Sequence, residues 1–440
     1  MTNQPFGFGP SDPDDHGENT PPGQGGNNPF GGGAFDFGQL GQMLSQLGQM
    51  LSQAGTQSGP VNYDLAKQIA VQRLTPSGLG GADAEDNRKV VEAVHLAELW
   101  LNPVTTLPAG ATRAEAWSAR DWVERTLGTW QRLCDPVARR VSGAWVDALP
   151  AEAKEAAGPL LSIVGQMGGM AFGSQLGGAL AQLGSEVLTS TEVGLPLGAE
   201  GVAALLPANI EKFTEGLERP ASEVMVFLAA REAALHRLFS HVPWLRQRLL
   251  ATVEEFAHGI SVDTSALEQL ASRVDPANPQ SIEEAMSSGL LEPQTTDAQK
   301  AALKRLETLL ALVEGWVDVV VADAVGDRLP GAAALRETLR RRRASGGPAE
   351  QTFATLVGLE LRPRRLRAAS TLWHMVGEQH GITVRDDIWA HPDLVPTAED
   401  LDEPIDFVRR IGATPALEDP IAELERTQRD EQEDQGPDAK

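Results

Sequence analysis

Cys134 is the one cysteine in 440 residues, so the chain can form no internal disulfide and build no cysteine zinc cluster. That scarcity fits a reducing compartment. Aromatic residues are few as well, 5% of the chain, and include nine Trp and a single Tyr. With Ala and Leu abundant in their place, helices are favoured over strands, and the expected fold class is mainly α with little sheet. The opening stretch MTNQPFGFGPSDPDD has neither a basic residue nor an apolar run. By the ordinary criteria that excludes a secretory signal, and a cytoplasmic location is the expectation.

Positive charge is the other shortage. Lys and Arg number 37 against 61 Asp and Glu, giving a net charge of −24. Residues 1–60 carry five acids and no Lys or Arg, and residues 411–440 carry nine acids against three bases, so the two ends hold −11 and the body −13. A body of that sign repels phosphate backbones, and nucleic acid is not an expected partner. One stretch runs the other way: Arg336 to Arg367 holds nine Arg and three Glu, including the run Arg340 to Arg343. It reads as a solvated helix end rather than an anion site.

Residues 1–36 are rich in Gly, Pro, Asn and Asp without hydrophobic periodicity, a composition that cannot offset the entropy of ordering a backbone, and they are expected to be disordered. The segment 37–60 contains the heptad LGQMLSQ twice, at 40–46 and 47–53. It sets Leu40, Met43, Leu44, Leu47, Met50 and Leu51 along one helical stripe. Two heptads are marginal alone. Either the helix docks or frays, or it binds a protein or peptide partner or mediates self-association; both readings stay open. A helical body is expected over 61–410, followed by an acidic disordered tail at 411–440. Within the body, periodicity predicts helices near 84–101, 112–133 and 136–148, with Pro103, Pro108, Pro136 and Pro150 as punctuation.

No charged residue occurs from Ala156 to Ser185, where Gly165, Gly169, Gly173 and Gly177 repeat every four residues. Such a ridge is known from packed membrane helices. Gln166, Ser174, Gln175 and Gln182, with many Gly and few large apolar side chains, make membrane insertion poor. The expectation is therefore a buried helix against which another backbone packs closely, not a membrane span.

After Pro220 a strong helical pattern, ASEVMVFLAAREAALHRLFSHVPWL, carries Val224, Phe227, Leu228, Leu235 and Leu238 on one face and places Arg231 in that apolar stripe. A guanidinium there requires a partner, because Arg does not neutralise. Taken with EVGLPL, LLALVEGWVDVVVADAV, FATLVGLELRPRRLRAASTLWHMV and IWAHPDLVPTAEDLDEP, this order of segments resembles the zincin-like metallopeptidase family of actinobacteria, hydrolases associated with deazaflavin-cofactor biosynthesis. The likeness runs from about Asp64 to Arg410 and implies a zincin-like helical body.

The resemblance also implies a site. The family's active helix carries H-E-x-x-H, whose two His bind Zn²⁺ while the Glu activates water. Here that frame reads Arg231, Glu232, Ala233, Ala234, Leu235. Glu232 is then the nominal general base, Arg231 and Leu235 stand at the lost His positions, Glu314 occupies the position of a third zinc ligand, and Asp318 that of the supporting acid behind it. Arg offers a metal no lone pair and Leu no donor atom. Zinc is the implied cofactor, but the departure points to weak or absent metal-dependent peptidase activity, or to a helical interaction scaffold. His236 lies 100° around the helix from Leu235 and does not simply substitute; His258, beyond the turn, reads first as a hydrogen-bonded core or surface residue, with a reach back to the site as the alternative, and His374 and His380, six apart, do not share a helical face. Pairing of Arg231 with Glu314 or Asp318 is the expected compensation. Cys134 reads as a packed thiol, and Asp386 and Asp387 as part of a turn before Trp389.

Overall fold

The structure, a computed structural model, describes residues 59–74, 81–147, 158–191, 194–217, 219–259, 296–344 and 365–413. The heptads at 40–53, the two terminal segments and residues 345–364 lie outside the described residues. The described body is mainly helical, as its composition requires. In chain order it comprises α1 (Tyr63–Leu74), α2 (Ala84–Leu101), β1 (Arg113–Ala116), α3 (Ala119–Asp147), α4 (Gly158–Gly184), β2 (Val202–Leu205), α5 (Pro207–Thr214), α6 (Ala221–His241), α7 (Pro243–His258), α8 (Asp297–Val325), α9 (Ala332–Ala344), α10 (Leu366–Asp387), α11 (Ala398–Asp402) and α12 (Pro404–Ala413). No described helix is long and apolar enough to cross a membrane.

Helix ends follow local chemistry. Asp83 with Asp86 and Thr296 with Gln299 form reciprocal capping boxes that start α2 and α8, satisfying backbone N–H groups that have no partner within the helix. Pro243 opens α7 immediately after α6 ends, since the residue before a proline is pushed out of helical geometry. Two expectations need correction. Residues 113–116 form a strand rather than the start of a helix, and Pro136 lies inside α3 instead of separating two helices. Burial overrides the punctuation: Trp130, Leu133, Cys134 and Val137 are all buried across the proline, so packing offsets the hydrogen bond that Pro136 does not make.

The glycine ridge of α4 meets α1. A Cβ on Gly173 would stand 2.4 Å from the Asn62 carbonyl oxygen, and one on Gly177 would stand 2.5 Å from that of Ala66. Asn62 N also donates to Gly169 O at 3.0 Å. The ridge is thus a seat for a neighbouring backbone, while Gly165 faces open space.

At the centre, α8 is buried along most of its length and packs on α6, α7 and α10. A tryptophan cluster ties these elements together: Trp373 and Trp244 stack on Trp389 at centroid distances of 5.3 and 6.1 Å, and Trp373 Nε1 donates to Leu312 O at 2.9 Å. Asp386 is more than a turn residue. Buried at the end of α10, it accepts from Thr105 Oγ1 and Thr106 N, each at 2.7 Å, from Trp316 Nε1 at 2.9 Å and from Arg385 Nε at 2.9 Å. Strands β1 and β2 are parallel, with Arg113 opposite Val202 and Ala116 opposite Leu205. On the other side of β2, segment 188–190 runs antiparallel, Ser190 N donating to Ala204 O and Leu206 N to Leu188 O, both at 2.9 Å. This arrangement sets Ser190 and Thr191 above α6.

Candidate functional site

Helix α6 presents two adjacent i,i+4 pairs, because residues four apart share a face and neighbours are turned by 100°. Arg231 and Leu235 form one pair; Glu232 and His236 form the other. Both pairs are enclosed, since α6 packs on α2, α5, α8 and β2.

On the first face, Arg231 Nη2 lies 2.5 Å from Glu314 Oε2 of α8. Their side chains are 12% and 2% exposed, so the pair sits in a medium that screens charge poorly. Leu235 is buried beside them in the apolar core. One turn along α8, Asp318 does not take Arg231 as its direct partner. It accepts from Arg336 Nε at 2.8 Å, from Nη2 of both Arg336 and Arg340, and from Ser370 Oγ at 2.9 Å. Burial raises the pKa of this carboxyl, but Arg336, Arg231 and Arg340 more than offset that and hold it below the usual aspartate value.

The basic stretch therefore requires correction. Arg336 and Arg340, spaced i,i+4 on α9, turn inward as partners of a buried acid, and Arg342 donates to Glu186 O at 2.5 Å while lying over the Phe213 ring. Their spacing alone was the available signal; nothing in the local sequence named Asp318 as the target. Arg341 is exposed, as a solvated helix end would be.

On the second face, Glu232 is fully buried. It accepts hydrogen bonds from the hydroxyls of Ser190 and Thr191, and from the backbone N–H groups of Thr191 at 3.3 Å and Ala204 at 3.4 Å. His236 Nε2 lies 3.4 Å from Glu232 Oε1, within ion-pair distance though poorly angled for a hydrogen bond. Burial alone would raise the Glu232 pKa; His236, Ser190 and Thr191 together leave it lowered. Ser190 and Thr191 carried no recognisable pattern in sequence, because their role depends on a bridge between residues distant along the chain. His258 and His380 lie elsewhere, next to the carbonyls of Glu254 and Val408.

Among the described residues, no group of three or more His, Cys, Asp or Glu side chains is arranged to hold a metal ion. The zincin-like metallopeptidase family matches residues 61–408, most of the chain, and the chain belongs to that family. A crystal structure from Chloroflexus aurantiacus, described as a "putative hydrolase with a novel fold", is similar in fold, with a TM-score of 0.56 and 18% identity over 81% of this chain and 100% of that one. No curated protein sequence matches the chain.

Proposed function

We propose that this protein is a zincin-family member that has given up zinc-dependent peptide hydrolysis and serves as a helical interaction scaffold for protein or peptide partners. The observation that carries the reading is the Arg231–Glu314 ion pair at 2.5 Å. In the zincin frame Arg231 and Leu235 stand where the two imidazoles belong. The guanidinium has no lone pair, the isobutyl group has no donor, and the carboxylate left from the ligand set already faces a cation. These residues do not fit a zinc ion.

The nominal base is committed elsewhere. Glu232 is sealed from solvent and accepts from two hydroxyls, whereas activation of a water requires a carboxylate within reach of that water and of a substrate. The family fold survives because the ion pairs replace the charge balance a metal would supply. A permanent cation at Arg231 keeps Glu314 compensated, and Arg336 with Arg340 does the same for Asp318. Incubating the full chain with a diverse peptide library, with zinc and with a chelator, tests this directly. Equal, background-level cleavage by wild type and Glu232→Gln is expected. Cleavage that disappears with the chelator or with Glu232→Gln overturns the proposal.

A further inference from the structure

A narrow cleft opens beside the Glu232–His236 pair, between residues 190–191 and 196–201 on one side and the junction of α6 with α7 on the other, lined by Thr191, Gly198, His236, Phe239, Ser240 and Arg246. Its floor and wall are built from fixed polar groups. Arg246 is half-buried, and its Nη2 donates to Pro196 O at 3.1 Å and Gly198 O at 3.3 Å. Two backbone carbonyls thus hold the guanidinium plane in place, while Nε and Nη1 donate to no protein acceptor among the described residues. Nor does any described carboxylate lie within ion-pair distance of Arg246.

Arg132 adds positive charge nearby. Burial first, and then the repulsion between these two guanidiniums, hold the Arg246 pKa below the ordinary arginine value, with Glu200 on the rim acting in the opposite direction. A partly desolvated cation of this kind is stabilised by an incoming anion. The second wall is the ring of His236, more than nine-tenths buried, with its Nε2 turned towards Glu232 Oε1 at 3.4 Å. With Nε2 turned to Glu232, Nδ1 is the ring nitrogen left to meet a ligand.

The size and charge of the cleft select the ligand. The floor has room for about one water-sized group, enough for a carboxylate oxygen with the rest of the molecule at the open mouth and too little for a ring. Glu200 at the rim and Glu232 behind the imidazole oppose a doubly charged group. We propose that this cleft is a carboxylate-binding site, in which Arg246 and His236 receive the monoanionic end of a small acid or of a peptide chain. Arg246 supplies the flat N–H edge that matches a carboxylate, and His236 supplies the lateral contact. The proposal stands apart from whether an ion pair has replaced a metal, because Arg231 and Glu314 are on the other face of α6.

The test is a calorimetric titration of the full chain with acetate, with N-acetyl-Ala-Ala bearing a free carboxylate, and with the corresponding amide, at constant chloride, alongside histidine ring NMR. Saturable binding of acetate or of the free-acid peptide, with no binding of the amide, is expected. Preference for acetate assigns the site to small acids, and preference for the peptide assigns it to chain ends. Arg246→Gln should weaken binding at least tenfold in a variant whose unliganded melting stays cooperative. Ser240→Leu, which fills the cleft without altering Arg246, should abolish the ligand-induced shift of the His236 ring, identified by its loss in His236→Gln. The proposal is overturned if no carboxylate binds saturably, if the amide binds equally well, if inorganic phosphate binds where carboxylates do not, or if both cleft variants bind as wild type does.

Discussion

Replacing Arg231 by Leu removes one half of a buried cross-helix ion pair. Glu314 is 2% exposed and its Oε2 loses the guanidinium at 2.5 Å, while Asp318 keeps Arg336, Arg340 and Ser370. The penalty therefore falls on Glu314. Breaking a buried pair in this way costs about 3–5 kcal/mol, and the 12% exposure of Arg231 is too small for solvent to screen much of it. The same leucine beside Leu235 adds no charge and little excess volume. If the charge balance is the cause, Arg231→Leu with Glu314→Leu should recover most of the loss, since a matched apolar pair in place of a buried ion pair is often neutral. Urea unfolding of the wild type, both single variants and the double variant completes the cycle. A single-variant loss under about 1 kcal/mol, or additive single losses, would show that the pair is incidental and refute the compensation argument.

Acid should weaken the fold through Glu232 and Asp318. Both have folded pKa values below their ordinary 4.5 and 3.8. Their contribution is therefore fully present above those values and is lost as pH falls through the lower folded ones. Glu232→Gln and Asp318→Asn should each flatten the decline in Tm between neutral pH and pH 3, and a decline as steep as wild type would contradict the assignment. Gly173→Leu should cost more than about 1–3 kcal/mol, the usual range for overpacking, because its side chain meets the Asn62 carbonyl; the same change at Gly165, which faces open space, should leave Tm nearly unchanged. Arg336→Ala with Arg340→Ala should lower Tm far more than Arg341→Ala, whose partner Glu337 is a surface acid, and equal effects would return the basic run to a solvated role.

The sequence was most informative where one residue type enforced one geometry. The i, i+4 glycines of α4 called for a close backbone neighbour, and α1 is that neighbour. Arg231 in an apolar stripe required an acid, and the i,i+4 acids of EGWVD were the available ones. Local pattern misled at Pro136, where tertiary burial of Trp130, Leu133 and Val137 keeps one helix continuous. It misled again at Arg336 and Arg340, because a run of arginines reads the same in solvent as beside a buried acid. The partners of Glu232 were illegible for a topological reason. Ser190 and Thr191 reach it only because segment 188–190 adds to β2, a pairing fixed by backbone hydrogen bonds and not by side-chain identity. Asp386 looked like a turn residue because its acceptors serve Thr105, Thr106 and Trp316 from distant elements.

The most direct measurement is zinc per chain, determined by elemental analysis after equilibrium dialysis against buffered zinc, for wild type and for Arg231→His combined with Leu235→His. The double variant restores two imidazoles one turn apart beside Glu314, the three-ligand set of a catalytic zinc site, and removes the competing guanidinium. The account predicts far less than stoichiometric zinc in the wild type and a rise towards one zinc per chain in the double variant. Near-stoichiometric zinc in the wild type that survives mild dialysis and is lost in Glu314→Gln would contradict the claim that Arg231 stands in place of the metal.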